Sequence, residues 1–237
     1  MSRIETLRAS IIMPGRISII IPVFRETGMI HRTLGDLGRP AEAEVIVVDG
    51  DPQGETLRLI QRSDIIRVVS RKGRGVQMNA GARQATGEIL LFLHADTRLP
   101  PEGLNRIRAA LADSAVVGGA FDLGIDSNRP IFRLLERTAS IRSRLTRVPY
   151  GDQAIFLRKH FFREIGGFRE IPIMEDVDLM RRVKRTGRSI VFLNARVRTS
   201  ARRWEKEGII RGTLRNWFLV LLFLAGAAPG RLARYYR

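Results

Sequence analysis

The chain has 237 residues, of which 44% are hydrophobic and 27% are charged, and it contains no cysteine. This length suits one large domain, or one domain with an appendage, and the composition excludes general disorder, disulfides and thiolate metal sites. Lys and Arg together number 41 against 24 Asp and Glu, and the net charge of +17 favours anionic partners such as phosphates or lipid headgroups. Nucleic acid is not the expected partner, because no helix-turn-helix, zinc-finger or aromatic RNA-binding signature accompanies the arginines.

The first hundred residues alternate between apolar runs and segments with helical spacing. Strands and helices are predicted, in chain order, at 17–23 (strand), 29–37 (helix), 45–48 (strand), 66–69 (strand), 76–85 (helix) and 89–93 (strand). The run at 89–93 is uninterrupted, which predicts a strand buried on both faces of a parallel sheet. The alternation is typical of a doubly wound α/β fold with a mostly parallel sheet flanked by helices.

The pattern becomes less regular beyond residue 100. The remaining helices and strands are predicted at 102–111 (helix), 116–123 (strand), 130–146 (helix), 154–157 (strand), from 175 onward (helix) and 190–193 (strand). The strand at 116–123 is expected to be an edge or antiparallel strand, because its alternation is weak. No internal repeat or long linker is visible, which predicts an N-terminal arm at 1–15, one domain at 16–205 and a helical segment at 206–237.

The two ends of the chain differ in character. Residues 1–15 carry arginines but no long apolar core, so no secretory signal is expected and the predicted location is cytoplasmic. Residues 217–228 carry no charge, and as a helix they span about 18 Å, which is too short for a bilayer core of about 30 Å. Arginines flank this run at Arg211, Arg215, Arg231, Arg234 and Arg237. Two interpretations of 211–237 stay open: a helix at the inner face of a membrane, or a buried helix or homodimer contact.

Acidic residues recur where strands end and helices begin. The candidates, in chain order, are Asp49, Asp51, Asp96, Glu175 and Asp176. Ligands of open α/β sheets bind beyond the carboxyl ends of the strands, so these acids are expected to share one crevice. Taken singly, each is also explained as an ordinary helix cap.

Asp96 is the first candidate for a metal or phosphate site. His94 lies two residues before it and is expected on the same face of the strand end. Without cysteine, a metal here is expected to be Mg²⁺ or Mn²⁺ rather than structural zinc. The alternative, that Asp96 only caps the helix beginning near Pro101, is equally compatible with this stretch.

Several short strings then occur in a fixed order. They are IIPVFRE at 20–26, VVDGD at 47–51, LHAD at 93–96, and GGF at 166–168 with EDVDL at 175–179. Together they resemble the family 2 glycosyltransferases, which are nucleotide-sugar-dependent enzymes of GT-A fold, over roughly residues 16–200. A bacterial subgroup is similar in QMNAGA at 77–82, HADT at 94–97 and GDQ at 151–153. The resemblance implies an inverting, hexosyltransferase-type enzyme.

The resemblance also implies where the nucleotide sugar binds. Pro22 and Glu26 are expected to line the nucleotide pocket, and Asp49 to hydrogen-bond the base or ribose. Asp96 matches the last acid of the family's Asp-x-Asp motif, which holds a divalent cation against the diphosphate, whereas His94 replaces the first acid. Further donor contacts are expected at Asp51, Gly73, Arg74 and Asn79.

The catalytic base that the resemblance implies is Asp176, which takes the proton from the acceptor hydroxyl. Its neighbour Glu175 is expected either to raise the basicity of Asp176 by like-charge repulsion or to orient it. Asp152 and Gln153 are expected to contact the acceptor or the sugar, with an Asx-capped turn as the alternative. Arg202, Arg203 and Trp204 are expected to close over the diphosphate, with a solvated basic face as the alternative.

Two other function classes stay open. A nucleotidyltransferase has a similar sheet and metal but attacks phosphorus, and the glycine-rich, lysine-containing loop that it usually has after the first strand is replaced here by 22–26. A non-enzymatic module that binds nucleotides or a membrane surface is the other class. The sequence identifies neither the base and sugar of the donor nor the acceptor, for which a lipid-linked molecule is one option.

Overall fold

A computed structural model describes residues 15–26, 28–40 and 42–236. The predicted N-terminal arm at 1–15 lies outside the described residues except for Gly15. The strands are β1 (Ile17–Val23), β2 (Ala43–Asp49), β3 (Ile65–Val69), β4 (Ile89–Phe92), β5 (Thr97–Arg98), β6 (Val116–Asp126), β7 (Phe156–Arg158) and β8 (Ser189–Ser200). The helices are α1 (Ile30–Leu37), α2 (Glu55–Arg58), α3 (Arg74–Gln84), α4 (Gly103–Ala110), α5 (Pro130–Thr146), α6 (Lys159–Glu164), α7 (Glu175–Arg185), α8 (Arg202–Glu207), α9 (Ile209–Leu224) and α10 (Pro229–Leu232).

The strands form one mixed sheet in the order β3-β2-β1-β4-β7-β6-β8-β5. Strands β1 to β4 pair in parallel, which confirms the α/β prediction for the first hundred residues. Strand β7 runs antiparallel to both β4 and β6, and β8 is parallel to β6. Strand β4 is buried on both faces as predicted, but only one of its two neighbours is parallel to it.

The expectation that 116–123 forms an edge strand is wrong. Strand β6 lies inside the sheet between β7 and β8, and ten of its eleven residues are buried. A Cβ atom at Gly118 would lie 2.3 Å from the Phe156 carbonyl oxygen, and one at Gly119 would lie 2.1 Å from the Val191 carbonyl oxygen. The weak alternation therefore reflects burial on both faces, and the antiparallel option is correct for the pairing with β7.

Alternate residues of the strands build two apolar layers, one on each face of the sheet. Ile19 and Leu91 belong to one layer, whereas Ile20, Val48 and Leu90 belong to the other, which α3 covers. A Cβ atom at Gly81 of α3 would lie 2.5 Å from the Cγ2 atom of Ile20. Glycine at this position allows α3 to lie directly on β1, which fixes the start of α3 at the carboxyl edge of the sheet.

At the opposite, amino edge of the sheet, Glu44 is buried and fully hydrogen-bonded. Its carboxylate accepts bonds from the Ser18 hydroxyl at 2.5 Å, the Thr86 N–H at 2.6 Å, the Thr86 hydroxyl at 2.8 Å and the Gly87 N–H at 3.2 Å. Burial alone raises the pKa of Glu44, but these hydrogen bonds outweigh it and leave the pKa below its ordinary value.

The C-terminal helices pack on the domain through one side only. Leu219 of α9 and Leu232 of α10 are buried against Ile173, in the loop before α7. Helix α9 exposes large apolar side chains, namely Ile210, Leu214, Trp217, Phe218, Leu221 and Leu224. In the described part of the chain no helix has the length and apolar character needed to cross a membrane.

Candidate active site

A cleft of about 770 Å³ opens at the carboxyl edge of the sheet. Loops after β1, β4 and β8, the start of α3, the loop before β7 and the start of α7 all contribute to its walls. The predicted site residues that line it are Pro22, Glu26, Arg74, His94, Asp96, Asp152, Glu175, Asp176, Arg202, Arg203 and Trp204. Acids that are far apart in sequence, such as Asp96 and Asp176, therefore share one cleft, as the strand-end argument predicts.

The loop after β4 presents His94 and Asp96 to the cleft. The backbone oxygen of Asp96 accepts a hydrogen bond from the Ser200 N–H at 3.1 Å, which ties this loop to the end of β8. Helix α4 has no side-chain cap hydrogen bond, so the alternative role of Asp96 as a helix cap is wrong. Burial and the nearby Arg74 guanidinium lower the pKa of His94 to about 4, which leaves its imidazole neutral at pH 7.

The carboxylate of Asp176 is held by two backbone N–H groups. Its Oδ2 accepts a bond from Gly151 at 2.6 Å, and its Oδ1 accepts one from Val177 at 2.8 Å. A Cβ atom at Gly151 would lie 2.9 Å from His94 Nε2 and 3.2 Å from Asp176 Oδ2. Glycine at 151 therefore brings its N–H to Asp176 and leaves the space between Asp176 and His94 free.

Glu175 lies beside the predicted base and pairs with a cation. Its side chain is buried, and its Oε1 is 3.6 Å from Arg74 Nε. Burial raises the pKa of Glu175 to about 7; Arg74 opposes the rise and Asp176 adds to it. The contact fixes Arg74 at the start of α3, where its guanidinium faces the cleft.

Tyr150 and Asp152 line the cleft on either side of Gly151 in the chain, whose N–H bonds Asp176. Burial raises the pKa of Asp152 to about 6, although Arg142 opposes the rise. The Arg142 guanidinium stacks on the Tyr150 ring at 3.4 Å from the ring centroid.

Gln153 and Asn79 both make hydrogen bonds that hold loops beside the cleft. Gln153 is fully buried; its amide donates to the Phe121 carbonyl at 3.0 Å and accepts from the Ser143 hydroxyl at 2.6 Å. These bonds hold the loop that carries Tyr150 and Asp152, and the predicted contact of Gln153 with the acceptor or the sugar stays a prediction. Asn79 bonds both the N–H and the carbonyl of Phe168, at 2.9 and 2.8 Å, and so positions the loop before α7.

Asp49, Asp51 and Gly73 lie at the same edge of the sheet but do not line the cleft. Asp49 is fully buried and accepts bonds from the Asp51 and Thr56 N–H groups at 2.9 and 3.1 Å. Asp51 in turn accepts a bond from the Gln53 N–H at 3.1 Å. Both acids shape the loop after β2, and their predicted contacts with the nucleotide stay predictions, as does that of Gly73.

Sequence reasoning missed two groups of cleft residues. The buried amide of Gln77 donates to the carbonyls of Val23 and Val48 at 2.7 and 2.9 Å, and so fixes the ends of β1 and β2. The string at 77–82 contained Gln77 but gave no indication of this role. The C-terminal helices also reach the cleft, through Lys206, Glu207, Asn216, Val220 and Tyr236. Nothing in the local sequence pattern connects Tyr236 to a site more than sixty residues earlier in the chain, such as Glu175.

Three non-glycine residues with a left-handed backbone flank the cleft. They are Arg25 with φ 54°, Ala154 with φ 48° and Met174 with φ 66°. Such conformations cost on the order of 1–3 kcal/mol each and persist where the surrounding structure requires them. Here they immediately adjoin Glu26, the loop of Asp152, and Glu175 of α7, so the strain lies where the site is built.

The residues at the cleft suit a divalent cation whose remaining coordination positions are filled by the phosphates of a substrate. Among residues 15–26, 28–40 and 42–236, no cluster of three or more His, Asp or Glu could hold a metal by itself. Asp96 and the neutral His94 supply one carboxylate oxygen and one imidazole nitrogen at the cleft. Mg²⁺ and Mn²⁺ are commonly bound by one or two protein groups together with substrate phosphates, so this donor set suits them.

Residues 18–170 match the model of the family described as glycosyl transferase family 2. The chain belongs to this family. Among curated proteins, this family 2 glycosyltransferase is similar to the validoxylamine A glucosyltransferase of Streptomyces hygroscopicus subsp. limoneus, with 32% identity over 111 residues, 42% of this chain and 24% of that protein. The glycosyltransferase spans less than two fifths of the length of the curated relatives it matches, between 24% and 38%.

Solved structures confirm the GT-A fold of the family 2 glycosyltransferase. The mannosyltransferase PcManGT of Pyrobaculum calidifontis, in complex with GDP-Man and Mn²⁺, superposes with a TM-score of 0.63 at 19% identity, covering 95% of this chain and 69% of that one. TarS 1-349 of S. aureus, in complex with UDP-GlcNAc, superposes with a TM-score of 0.60 at 19% identity, covering 78% of this chain and 58% of that one. At these identities the likeness concerns the fold.

Proposed function

We propose that the cleft transfers a hexose from a nucleotide-diphosphate donor to an acceptor hydroxyl with inversion at the anomeric carbon. The observation that carries this proposal is the placement of Asp176, whose carboxylate is fixed by the Gly151 N–H at 2.6 Å and faces the cleft that Asp96 also lines. A fixed carboxylate on one side of the cleft and a phosphate-binding group on another are what an in-line displacement at the anomeric carbon requires.

Asp176 acts as the general base in this proposal. Its Oδ2 takes the proton of the acceptor hydroxyl as the hydroxyl oxygen attacks the anomeric carbon, and positioned proton transfer contributes about 10²–10⁴-fold to the rate. The bond to Gly151 orients the carboxylate before the acceptor arrives. Glu175 supports the start of α7 and holds Arg74, rather than contacting the acceptor itself.

Cationic side chains bind the diphosphate of the donor. Arg74, Arg202 and Arg203 all line the cleft, and Arg202 is held 3.4 Å from the Glu26 carboxylate. Asp96, with His94 as a second donor, would hold a divalent cation, and the chemistry that such a cation would supply is positive charge against the diphosphate. Two superposed proteins are bound to GDP-Man with Mn²⁺ and to UDP-GlcNAc, which supports a nucleotide sugar and a divalent cation as ligands.

The exposed side of α9 supports the peripheral membrane contact predicted from the sequence. Phe218 and Leu221 are 60% and 63% exposed, and arginines flank the helix on both sides. A contact at the cytoplasmic face of a membrane covers this apolar surface and pairs the arginines with lipid phosphates. A homodimer through the same helix is the competing proposal.

The test is a thermal-shift screen of UDP-, GDP- and dTDP-sugars with and without Mn²⁺. At least one donor is expected to raise the unfolding temperature, because a ligand of the native state stabilises it by mass action. Asp96→Ala should reduce this shift strongly. Asp176→Asn should retain the shift but lower kcat by about 10²–10⁴-fold.

Asp113→Asn is the matched control, since Asp113 is exposed and lies outside the cleft. It is expected to leave both readouts unchanged. Near-normal transfer by Asp176→Asn would remove Asp176 as the base. Release of pyrophosphate instead of nucleoside diphosphate would identify a nucleotidyltransferase, and donor binding without any turnover would favour a binding module.

A further inference from the structure

A second cavity adjoins the cleft, between one face each of α5, α7 and α9. We name it the lateral groove, and its volume of about 900 Å³ lies within the range of about 300–1,000 Å³ that is usual for small-molecule sites. Its walls are mainly apolar and include Leu123, Leu135, Ala139, Val220, Leu221 and Leu224. Pairs four residues apart line the cavity from each helix, namely Leu135 and Ala139 of α5, Val177 and Arg181 of α7, and Val220 and Leu224 of α9. Three helix faces therefore border a common space that they do not fill.

The lateral groove is continuous with the cleft. Tyr150, Asp152, Val177 and Trp204 line both cavities. Val177 directly follows the predicted base, so the inner end of the groove lies beside Asp176. A long ligand is therefore able to lie in the groove and to present one end to the reacting centre.

The apolar walls of the lateral groove favour a hydrocarbon chain over a carbohydrate as the bound ligand. A soluble sugar carries a hydroxyl on almost every carbon, and burying a hydroxyl without a hydrogen-bond partner is unfavourable. At the mouth of the groove, Trp217 and Leu224 are 48% and 47% exposed, so the apolar surface extends to the outside of the protein. A hydrocarbon chain covers this surface, and a carbohydrate does not.

Cations lie at both ends of the groove. At the inner end, Arg142 stacks on Tyr150, and its buried Nε has no hydrogen-bond partner among the described residues. At the outer end, Arg181, Lys184 and Arg185 line the groove, and the described part of the chain places no carboxylate within 4.0 Å of them. An anionic molecule complements this distribution of charge.

We propose that the acceptor is an anionic amphiphile with a long hydrocarbon chain, a substrate class that rests on the proposed transferase function. The chain lies in the lateral groove, and the head group lies at Arg142 with its accepting hydroxyl beside Asp176. The hydroxyl oxygen forms the bond to the anomeric carbon, and its proton passes to Asp176. The bond between the anomeric carbon and the diphosphate breaks, and its electron pair leaves with the nucleoside diphosphate.

A second copy of the chain fits the groove less well. A symmetric dimer through α9 brings the same patch of both subunits together, so the unpaired cations at the outer end of each groove face one interface. Like charges placed across an interface oppose association. The lateral groove is also continuous with the cleft, and a dimer contact does not require this continuity.

Both tryptophans of the protein, Trp204 and Trp217, line the groove, so their fluorescence reports its occupancy. The probe is dodecyl phosphate brominated on its chain and used below its critical micelle concentration, because bromine quenches tryptophan on contact. Saturable quenching is expected for the unmodified protein. Leu221→Glu places a charge in the groove and should weaken the apparent affinity by about tenfold or more.

Phe218→Glu is the matched control, because Phe218 lies on the same helix, is exposed to 60% against 63% for Leu221, and does not line the groove. The brominated probe should quench the tryptophan fluorescence of this variant to the same extent as that of the unmodified protein. The same brominated chain with a trimethylammonium head should bind about tenfold more weakly, since its charge is reversed. Absence of quenching, or equal quenching in both variants, overturns the groove assignment, and equal binding of the two head groups overturns the anionic head.

A donor thermal shift, measured on the same samples, separates this proposal from the proposed function. A normal donor shift without probe binding refutes the amphiphilic acceptor and leaves the transferase assignment standing. A third outcome is that the unmodified protein is a dimer that does not bind the probe and that Leu221→Glu dissociates. This result would identify the lateral groove as a contact with a second copy of the chain, and it would equally overturn the proposal.

Discussion

At the scale of single residues, the site depends on how closely backbone and side chains approach Asp176. Gly151 gives its N–H to Asp176 Oδ2 at 2.6 Å, and the space where a Cβ would stand separates His94 from Asp176. The neutral imidazole of His94 gives the site one negative charge fewer than a second acid would. Under the proposed function, cation binding at Asp96 would therefore depend more strongly on the phosphates of the donor than it would at a site with two acids.

We expect Gly151→Ala to lower kcat by about tenfold or more, because the added methyl group moves His94 and Asp176 apart and small misplacements at a reacting centre are costly. The backbone of Gly151 is not left-handed, so alanine is tolerated by the fold. Initial rates and the unfolding temperature check this expectation together.

Gly35→Ala is the control for this substitution, since nothing lies within 4 Å of a Cβ at Gly35. It should leave kcat unchanged and leave the unfolding temperature unchanged or slightly raised. A wild-type kcat in Gly151→Ala would show that the spacing between His94 and Asp176 does not limit the reaction.

At the scale of elements, the amino edge of the sheet depends on Glu44, which joins β1, β2 and the turn before β4 through hydrogen bonds to Ser18, Thr86 and Gly87. Its folded-state pKa lies below the ordinary value. The stability that Glu44 contributes is therefore fully present above its unfolded pKa, and it is lost as the pH falls through the folded pKa.

We expect Glu44→Gln to destabilise the fold by about 1–3 kcal/mol at pH 7, because donors from the backbone and from side chains lose a charged acceptor. The difference from the unmodified protein should shrink as the pH falls below about 4. Urea unfolding at pH 7 and at acid pH measures both. Glu55→Gln, at an exposed position, should show neither effect; a difference that persists unchanged at acid pH would contradict the assignment to the carboxylate.

Sequence patterns predict those helices and strands that are buried along their whole length, because their residues form an uninterrupted apolar run. Strands β1, β2 and β4 are apolar runs, and their two buried faces follow directly from composition. The interior position of β6 was not predictable in this way, because it depends on pairing with β8, more than sixty residues further along the chain. The helix α2 was not predicted either, since it is a single turn of four residues.

The same distinction applies to the site. Asp96 and Asp176 were found because they end or begin an element and match a family motif, and such positions converge on one edge of a sheet. Ligand contacts are predicted for Gln153 and Asn79 because both are polar residues in matching strings. Their burial and their bonds to Phe121 and Phe168 depend on tertiary structure that no local pattern encodes.

At the scale of the whole molecule, the net charge of +17 and the exposed apolar side chains of α9 both favour binding to an anionic membrane surface. We expect the protein to sediment with vesicles of phosphatidylcholine and phosphatidylserine at low salt and to be released as salt screens the attraction beyond about 10 Å. Vesicles of phosphatidylcholine alone should bind less.

Phe218→Glu should weaken vesicle binding, although it leaves the lateral groove intact. Leu59→Glu is its control, because Leu59 is an exposed apolar residue of the first half of the chain. Equal sedimentation of these two variants would show that α9 is not the membrane contact.

The direction of β7 determines when the site is completed during folding. Because β7 runs against β4, the loop that carries Asp152 is placed beside His94 only after the chain from Phe92 to Phe156 has closed. Strands β1 to β4 are synthesised before this segment, so they are able to pair with one another first. Under the proposed function, a nascent chain that has assembled only β1 to β4 would thus hold Pro22, Glu26 and Asp96 of the donor site and would still lack Asp176, the proposed proton acceptor.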